Sequence, residues 1–310
     1  MNTPPDVVAI VPCLDEEATV ASVVRELTAA LPCITVYVYD NGSTDGTVQV
    51  AEAAGAIVRQ ESRRGKGHVL RRAFADVQGD VFVVVDGDGT YDVSSLPAML
   101  ELLLSGPYDQ VIGVRREADR SAYRAGHSMG NLFFNRMVGR LFGEPVQDML
   151  SGFRVLSRRF VKSFPVRSRG FEVETELTVH AVDLRVPSAY VDVAFHDRPE
   201  GGESKLRTYH DGLRILSLII RLARYERPQP FHGAVAVVLG LLSLLLGLPV
   251  VLEYFETGLG QRFPTAILAS SIAIIAVLSL VVGTLLEATR RARDEGARLA
   301  YLRLPPPGHE

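Results

Sequence analysis

The run Val81-Phe82-Val83-Val84-Val85-Asp86-Gly87-Asp88 decides the architecture of the first half of the chain. Five apolar residues, four of them β-branched, are too short for a helix and predict a strand buried on both faces. Two carboxylates follow at once, separated by a residue without a side chain. A strand buried on both sides belongs to a mostly parallel sheet flanked by helices. In such sheets ligands collect outside the carboxyl ends of the strands.

Moving outward, the same grammar repeats. Strands are expected at 7–11, 34–39, 56–59 and 110–114. Helices are expected at 16–31, ending at Pro32, and at 44–54, 67–77 and 96–104. Strand and helix alternate, which predicts an α/β fold with helices on both faces of the sheet. The polar clusters fall after Val11, Tyr39, Arg59 and Val85, each time at a strand end.

Those clusters carry the chemistry. Asp86 and Asp88 form a hard-oxygen pair suited to Mg²⁺ or Mn²⁺ holding a diphosphate, and Gly87 permits close approach of backbone and ligand. Asp40 ends the second strand, where its carboxylate can accept from the N–H of a base. Ser43, Thr44 and Asp45 suit the start of the next helix. Pro12 fixes the backbone after the first strand, and Glu16 and Glu17 are candidates either for the pocket or for a first helical turn. Lys66, framed by Gly65 and Gly67 at a helix start, suits an anionic ligand. It is not a P-loop, because the upstream glycine and the following Ser/Thr are missing.

The second half differs in kind. Residues 233–252 and 265–286 are two uncharged runs. Each is long enough for a hydrocarbon core of about 30 Å at about 1.5 Å per residue. They predict a two-helix transmembrane hairpin, with Pro249 inside the first span, where bilayers tolerate it. Arg221, Arg224 and Arg227 precede the hairpin, Arg290, Arg291 and Arg293 follow it, and only Arg262 lies between. By the positive-inside rule both flanks are cytoplasmic. The basic stretch 206–225 reads as an interfacial helix or an ordinary packed one, and the tail ending Pro305-Pro306-Pro307 as flexible. The resulting division is a catalytic domain at 1–205, an amphipathic segment at 206–230, the membrane hairpin within 231–288 and a cytoplasmic tail at 289–310.

Composition closes off other classes. A net charge of −3 on 310 residues, with no basic patch interleaved with aromatics, argues against a nucleic-acid partner. Two cysteines, Cys13 and Cys33, make neither a disulfide framework nor a zinc site, and Cys13 reads as a small buried residue. The N-terminus has no basic region followed by an apolar core, so no signal peptide is expected and the catalytic part stays in the cytoplasm.

The segments VPCLDEE, DNGSTDGT, RRGKG and VVVDGDGTYD occur in that order, followed by DMLSGFRVLSRR, GFEVETEL and HDRPEGGESKL. Over roughly residues 6–226 the chain resembles family 2 glycosyltransferases with a GT-A fold, and within them the dolichol-phosphate mannose synthase group and its bacterial polyprenyl-phosphate relatives. The resemblance implies a nucleotide-sugar donor, with a GDP- or UDP-sugar equally open, and a polyprenyl phosphate acceptor. Pro12, Glu16, Asp40, Lys66, Asp86, Gly87 and Asp88 would line the donor pocket, with Asp86 and Asp88 meeting the metal and Thr90 nearby. Asn41 stands where relatives carry a second Asp. Arg198, Ser204 and Lys205 would belong to a loop that closes over the phosphates. Arg115, Arg124 and Ser128 would hold the lipid phosphate. Asp148 would be the catalytic carboxylate alongside Asp88, and Glu172 and Glu174 would touch the sugar or brace the site.

Alternatives are a protein, glycan or diacylglycerol acceptor, and a non-catalytic nucleotide-binding subunit. A processive polysaccharide synthase would carry a Q-x-x-R-W motif, but the chain has no tryptophan. A homo-oligomer is compatible with the sequence.

Overall fold

The computed structural model describes residues 4–117, 147–170, 172–196 and 228–307. The chain divides into two compact units, Met1–Gly202 together with Gly296–Glu310, and Glu203–Glu295.

The first unit is built on one seven-stranded sheet in the order β3-β2-β1-β4-β6-β5-β7. Its strands are β1 (Val7–Cys13), β2 (Thr35–Asp40), β3 (Ile57–Gln60), β4 (Val81–Val84), β5 (Gln110–Glu117), β6 (Arg154–Ser157) and β7 (Ser188–Phe195). β3, β2, β1 and β4 run parallel, as do β5 and β7. Only β6 is antiparallel, to both its neighbours β4 and β5. The mostly parallel sheet expected from the strand–helix alternation is therefore present, extended by a reversed strand.

Alternate residues of the central strands feed two separate cores, because successive side chains point to opposite faces. Val7, Ala9 and Val11 of β1 and Val81 and Val83 of β4 join one cluster, whereas Val8, Ile10, Phe82 and Val84 join the other. The first face is covered by α1 (Val20–Ala30) and α4 (Leu96–Ser105). Val20, Val23, Val24 and Leu27 make the buried stripe of α1 at the i, i+3, i+4, i+7 spacing of an amphipathic helix. α2 (Thr47–Ala53) adds Ala51 to that core. The second face is covered by α3 (Lys66–Asp76), α5 (Arg158–Ser163) and α6 (Glu172–Asp183), through Leu70, Phe74, Phe160 and Leu177 among others. Each such fully buried side chain contributes about 1.5–3 kcal/mol of transfer free energy.

Two local expectations are corrected. The first helix starts at Val20, not at residue 16. Asp15 adopts a left-handed conformation (φ 53°), and the Glu16 amide donates to Thr47 Oγ1, so the chain after β1 forms a turn tied to the β2–α2 loop. The second helix starts at Thr47, and neither Ser43 nor Thr44 caps it. Asp45 accepts from the Thr47 amide and the Glu17 carboxylate accepts from the Gly46 amide at 2.9 Å, which places two acids at the positive end of that helix.

The C-terminal tail is also more ordered than its prolines suggest. Helix α8 (Phe263–Leu302) continues well past the apolar run. Its last residues belong to the first unit, where Ala297 and Tyr301 pack against the second core cluster.

In the second unit, α7 (Pro228–Thr257) and α8 are long and apolar enough to cross a membrane. Leu245 and Phe255 are 72% and 80% exposed, so this apolar surface is not buried in a core among the described residues. Within this unit the helices meet through small residues. Ser243 Oγ donates to the Ala269 carbonyl at 2.8 Å, Ser279 Oγ donates to the His232 carbonyl at 3.1 Å, and a side chain on Gly283 would collide with His232. Small residues and hydroxyls are what lets helices pack without a hydrophobic drive between them. Most of the segment 206–230 lies outside the described residues.

Candidate active site

The loops after β1, β2, β3 and β4 meet because their strands are in register at the carboxyl end. Cys13 pairs with Asp40, Asp40 with Gln60, and Ile10 with Val84. Backbone bonds continue past the strands, with the Asn41 amide donating to the Cys13 carbonyl and the Glu61 amide to the Asp40 carbonyl, both at 2.9 Å.

Asp86 and Asp88 are thus presented at the centre of the sheet edge. Asp88 is buried, and its Oδ1 accepts from the Thr90 amide (3.1 Å) and the Thr90 hydroxyl (2.7 Å). Thr90 therefore orients Asp88. Asp86 is paired with the ammonium of Lys66, which also donates to Glu174 Oε1 at 2.5 Å. Burial alone would lower the Lys66 pKa, but the two carboxylates outweigh it and hold the group as an ammonium. One ammonium cannot neutralise two carboxylates, and burial raises the pKa of Glu174 against the pull of Lys66. Glu174 sits in the first turn of α6.

The glycines around these residues also have specific steric roles within the protein. A Cβ on Gly87 would strike the Cys13 sulfur, so this glycine makes room for Cys13 beneath the loop. Cys13 is buried, as expected, and its thiol pKa is pushed up by burial and by Glu16, Asp86, Asp40 and Asp88 around it. Gly65 (φ 124°) and Gly67 make room for the backbone carbonyls of Arg169 and Ser168, and the Gly67 amide donates to Arg169 at 3.1 Å. The start of α3 thus receives protein carbonyl as well as carrying Lys66. A Cβ on Gly152 would strike the Asp86 carboxylate.

Asp40 is 3% exposed and accepts from the amides of Gly42 and Ser43, which shapes the β2–α2 turn. Asn41 donates to the carbonyls of Glu61 and Arg63 and accepts from the Gly65 amide, so its amide group organises the Lys66 loop with donors that an aspartate lacks. The Thr19 hydroxyl donates to the Gly87 carbonyl at 2.7 Å, with a Glu16 carboxylate oxygen 3.3 Å from the same hydroxyl. Pro12 is the penultimate residue of β1, opposite Tyr39.

Asp148 is 3% exposed and held by Arg115 in a two-armed ion pair, Nε to Oδ2 at 2.8 Å and Nη2 to Oδ1 at 2.7 Å. The Arg115 guanidinium lies 5.6 Å from the Phe195 ring centroid. Burial would lower the Arg115 pKa, but the hydrogen bond to Asp148, together with the negative charge of Asp148 and Glu174 and the nearby Tyr91, outweighs it and raises the pKa. Two residues assigned separate roles from the sequence are therefore direct partners. Glu172 heads α6 near Gly170. Arg124, Ser128, Arg198, Ser204 and Lys205 lie outside the described residues.

Sequence reasoning missed Tyr91 and Arg154. The buried Tyr91 hydroxyl accepts from the Gly152 amide at 2.8 Å, linking the Asp86 loop to the Asp148 loop. Tyr91 follows the acidic motif directly, and Arg154 opens an apolar strand pattern. Both positions are the only available signals, and neither reveals a partner.

The described residues offer no group of three or more His, Cys, Asp or Glu able to cage a metal with protein ligands alone. Two carboxylates at a strand end suit instead an ion that keeps waters and arrives with phosphate oxygens. The Lys66 ammonium on Asp86 shows that this position accepts positive charge.

Residues 8–164 match Glycosyl transferase family 2, and the chain belongs to that family. It is a glycosyltransferase. The chain is 32% identical over 285 residues to the glycosyltransferase AglJ of Haloferax volcanii, covering 91% of each. It is 26% identical over 222 residues to a dolichyl-phosphate hexose transferase of the same organism, covering 72% of this chain and 96% of that one. Among solved structures, it resembles glucosyl-3-phosphoglycerate synthase from Mycobacterium tuberculosis in complex with Mn²⁺ and uridine-diphosphate-glucose. The TM-score is 0.58 at 26% identity, covering 71% of this chain and 78% of that one.

Proposed function

We propose that this glycosyltransferase moves a sugar from a nucleotide-sugar to a polyprenyl phosphate, with inversion, at the cytoplasmic face of a membrane that α7 and α8 span. The observation that carries the reading is the strand-end pair Asp86 and Asp88, with Asp86 linked through Lys66 to Glu174, in a chain that also has two helices of spanning length. The relative named a dolichyl-phosphate hexose transferase supports the lipid acceptor.

Pro12, Glu16, Asp40 and Gly87 line the donor side. Asp86 and Asp88 would hold Mg²⁺ or Mn²⁺, a reading supported by the Mn²⁺ complex of the solved relative. When bound, the ion neutralises charge developing on the departing diphosphate. Asp88 is ready for that role because Thr90 fixes one of its oxygens.

In the transfer, an acceptor phosphate oxygen forms a bond to the anomeric carbon. The bond from that carbon to the diphosphate oxygen breaks, and its electron pair leaves with the nucleoside diphosphate. A phosphate monoester has a second pKa of about 6, so the nucleophile is already mostly dianionic at neutral pH. No strong base is needed. Asp148, with both oxygens engaged by Arg115, suits positioning better than proton removal. Arg115 would meet the acceptor phosphate, its guanidinium steadied by Asp148 and Phe195.

The test uses membranes carrying the full chain, Mn²⁺ or Mg²⁺, and a panel of radiolabelled GDP- and UDP-sugars. Polyprenyl phosphate and 3-phosphoglyceric acid are offered as separate acceptors. Label entering the organic phase with the wild type and absent with Asp88→Ala supports the reading and names the donor. Label appearing only on the soluble acceptor overturns the lipid acceptor. In Asp148→Asn, a loss of turnover that raising the pH cannot relieve would establish an obligatory base, whereas a change confined to KM supports positioning.

A further inference from the structure

We infer that Arg154 is a positioning residue that locks the Asp148 loop to the helix carrying Glu174, so that the two halves of the site keep one spacing. The inference rests on the transfer reading above for its kinetic consequence, though its structural content stands apart.

Arg154 is 1% exposed and is the largest of the fully buried side chains among the described residues. In the sheet it pairs with Val84 of β4 on one side and Ile112 of β5 on the other. β4 leads into Asp86 two residues on, and β5 leads to Arg115 three residues on. The one antiparallel strand therefore begins, with Arg154, between the strands that deliver both ion pairs.

Its side chain ties down what the sheet leaves loose. Nε donates to the Ser151 carbonyl at 3.0 Å and Nη2 to the Met149 carbonyl at 2.9 Å, both in the loop that follows Asp148. The same Nη2 reaches the Glu174 carbonyl at 3.2 Å and the Thr178 hydroxyl at 3.0 Å, both on α6. A planar fork with several donors makes such a multi-point link, which a point charge cannot.

Stability alone is a poor reason for this arrangement. All four acceptors are neutral, and Nη1 has no hydrogen-bond partner among the described residues. A buried guanidinium with an unmet donor is costly, and apolar residues of similar volume commonly fill such places at no loss. What the charge does supply is balance. Burial lowers the Arg154 pKa, while Glu174 and Asp148 are the carboxylates that most support its charge. With Lys66 and Arg115 it sets three cations against Asp86, Asp148 and Glu174. Misplacing a catalytic group by about 1 Å costs roughly 100-fold in rate.

The experiment compares full-length wild type with Arg154→Met, Arg154→Lys and Thr178→Val in detergent. Donor KM, kcat and hydrogen exchange over residues 147–153 and 172–178 are read on each. In folded Arg154→Met we expect kcat to fall roughly 30- to 100-fold with donor KM nearly unchanged, and protection to drop in both segments. Arg154→Lys, keeping charge without the fork, should recover part of the rate and little of the protection. A folded Arg154→Met with wild-type kcat and wild-type exchange overturns the inference. If it does not fold, Thr178→Val, which removes one acceptor and leaves the charge, must show lost protection in 147–153; unchanged exchange there overturns it. If the wild type transfers no sugar to polyprenyl phosphate, the functional reading fails and the exchange comparison still decides Arg154.

Discussion

The hydroxyl of Tyr301 donates a 2.6 Å hydrogen bond to Asp109 across 192 residues of sequence. Asp109 is fully buried and also takes two bonds from Arg159, whose guanidinium lies 4.5 Å from the centroid of the Tyr301 ring. Asp109 immediately precedes β5, the strand that ends near Arg115. The last turn of α8 is therefore tied into the first unit. Hydrogen bonds to a charged group contribute about 1.5–3 kcal/mol, less where solvent reaches them. We expect Tyr301→Phe to lose about 1–2 kcal/mol in denaturant unfolding, and removal of residues 296–310 to lose more. A Tyr301→Phe variant as stable as wild type would show the contact to be idle.

Thr90 is expected to act through Asp88. Thr90→Val keeps the backbone donor at 3.1 Å and removes the hydroxyl donor at 2.7 Å. Loss of one such bond, about 1 kcal/mol, should weaken Mn²⁺ binding in the presence of the nucleoside diphosphate of the donor that the panel identifies by roughly 5-fold. Calorimetric titration checks this, and equal affinity would mean that Asp88 needs no help to hold its orientation.

Gly87 and Cys13 should be energetically coupled. A methyl at residue 87 meets the Cys13 sulfur, and overpacking of this sort costs about 1–3 kcal/mol. Cys13→Ala removes the obstacle, so the double variant should be more stable than the sum of the two single effects allows. A double-mutant cycle by thermal unfolding measures the coupling, and strict additivity would contradict the clash.

His180 makes stability depend on pH. It is packed against Phe160 and Phe164, and burial lowers its pKa to about 4. The unfolded chain, with an ordinary His pKa of about 6.5, binds the proton first as pH falls. Below that pH the unfolded state holds more protons and gains relative to the native one, so stability declines between about 6.5 and 4. The full effect is on the order of 3 kcal/mol, most of it lost by the lower end of the window. His180→Leu should flatten this part of the stability profile. Unfolding of both proteins at pH 7 and pH 5 compares them, and parallel profiles would remove His180 as the source.

The sequence alone was sufficient for the sheet's parallel half, the strand-end acidic loops and the two long apolar helices. Each is written in neighbouring residues: a β-branched run, then a carboxylate or a glycine, then a helical period. Helix starts were misread where a distant group intervened. Glu17 looks like a first-turn acid of its own helix, yet it serves Gly46 at the head of another.

What only the tertiary structure decided is which charges meet. Lys66 finds Glu174 across 108 residues, Arg115 finds Asp148 across 33, and the antiparallel β6 brings Arg154 between them. None of these pairings leaves a local period, because an ion pair is set by distance in space and the strength of desolvation around it. Hydrophobic pattern fixes where strands and helices lie. The order in which strands enter the sheet then determines which carboxylate faces which cation, and only folded backbone carries that information.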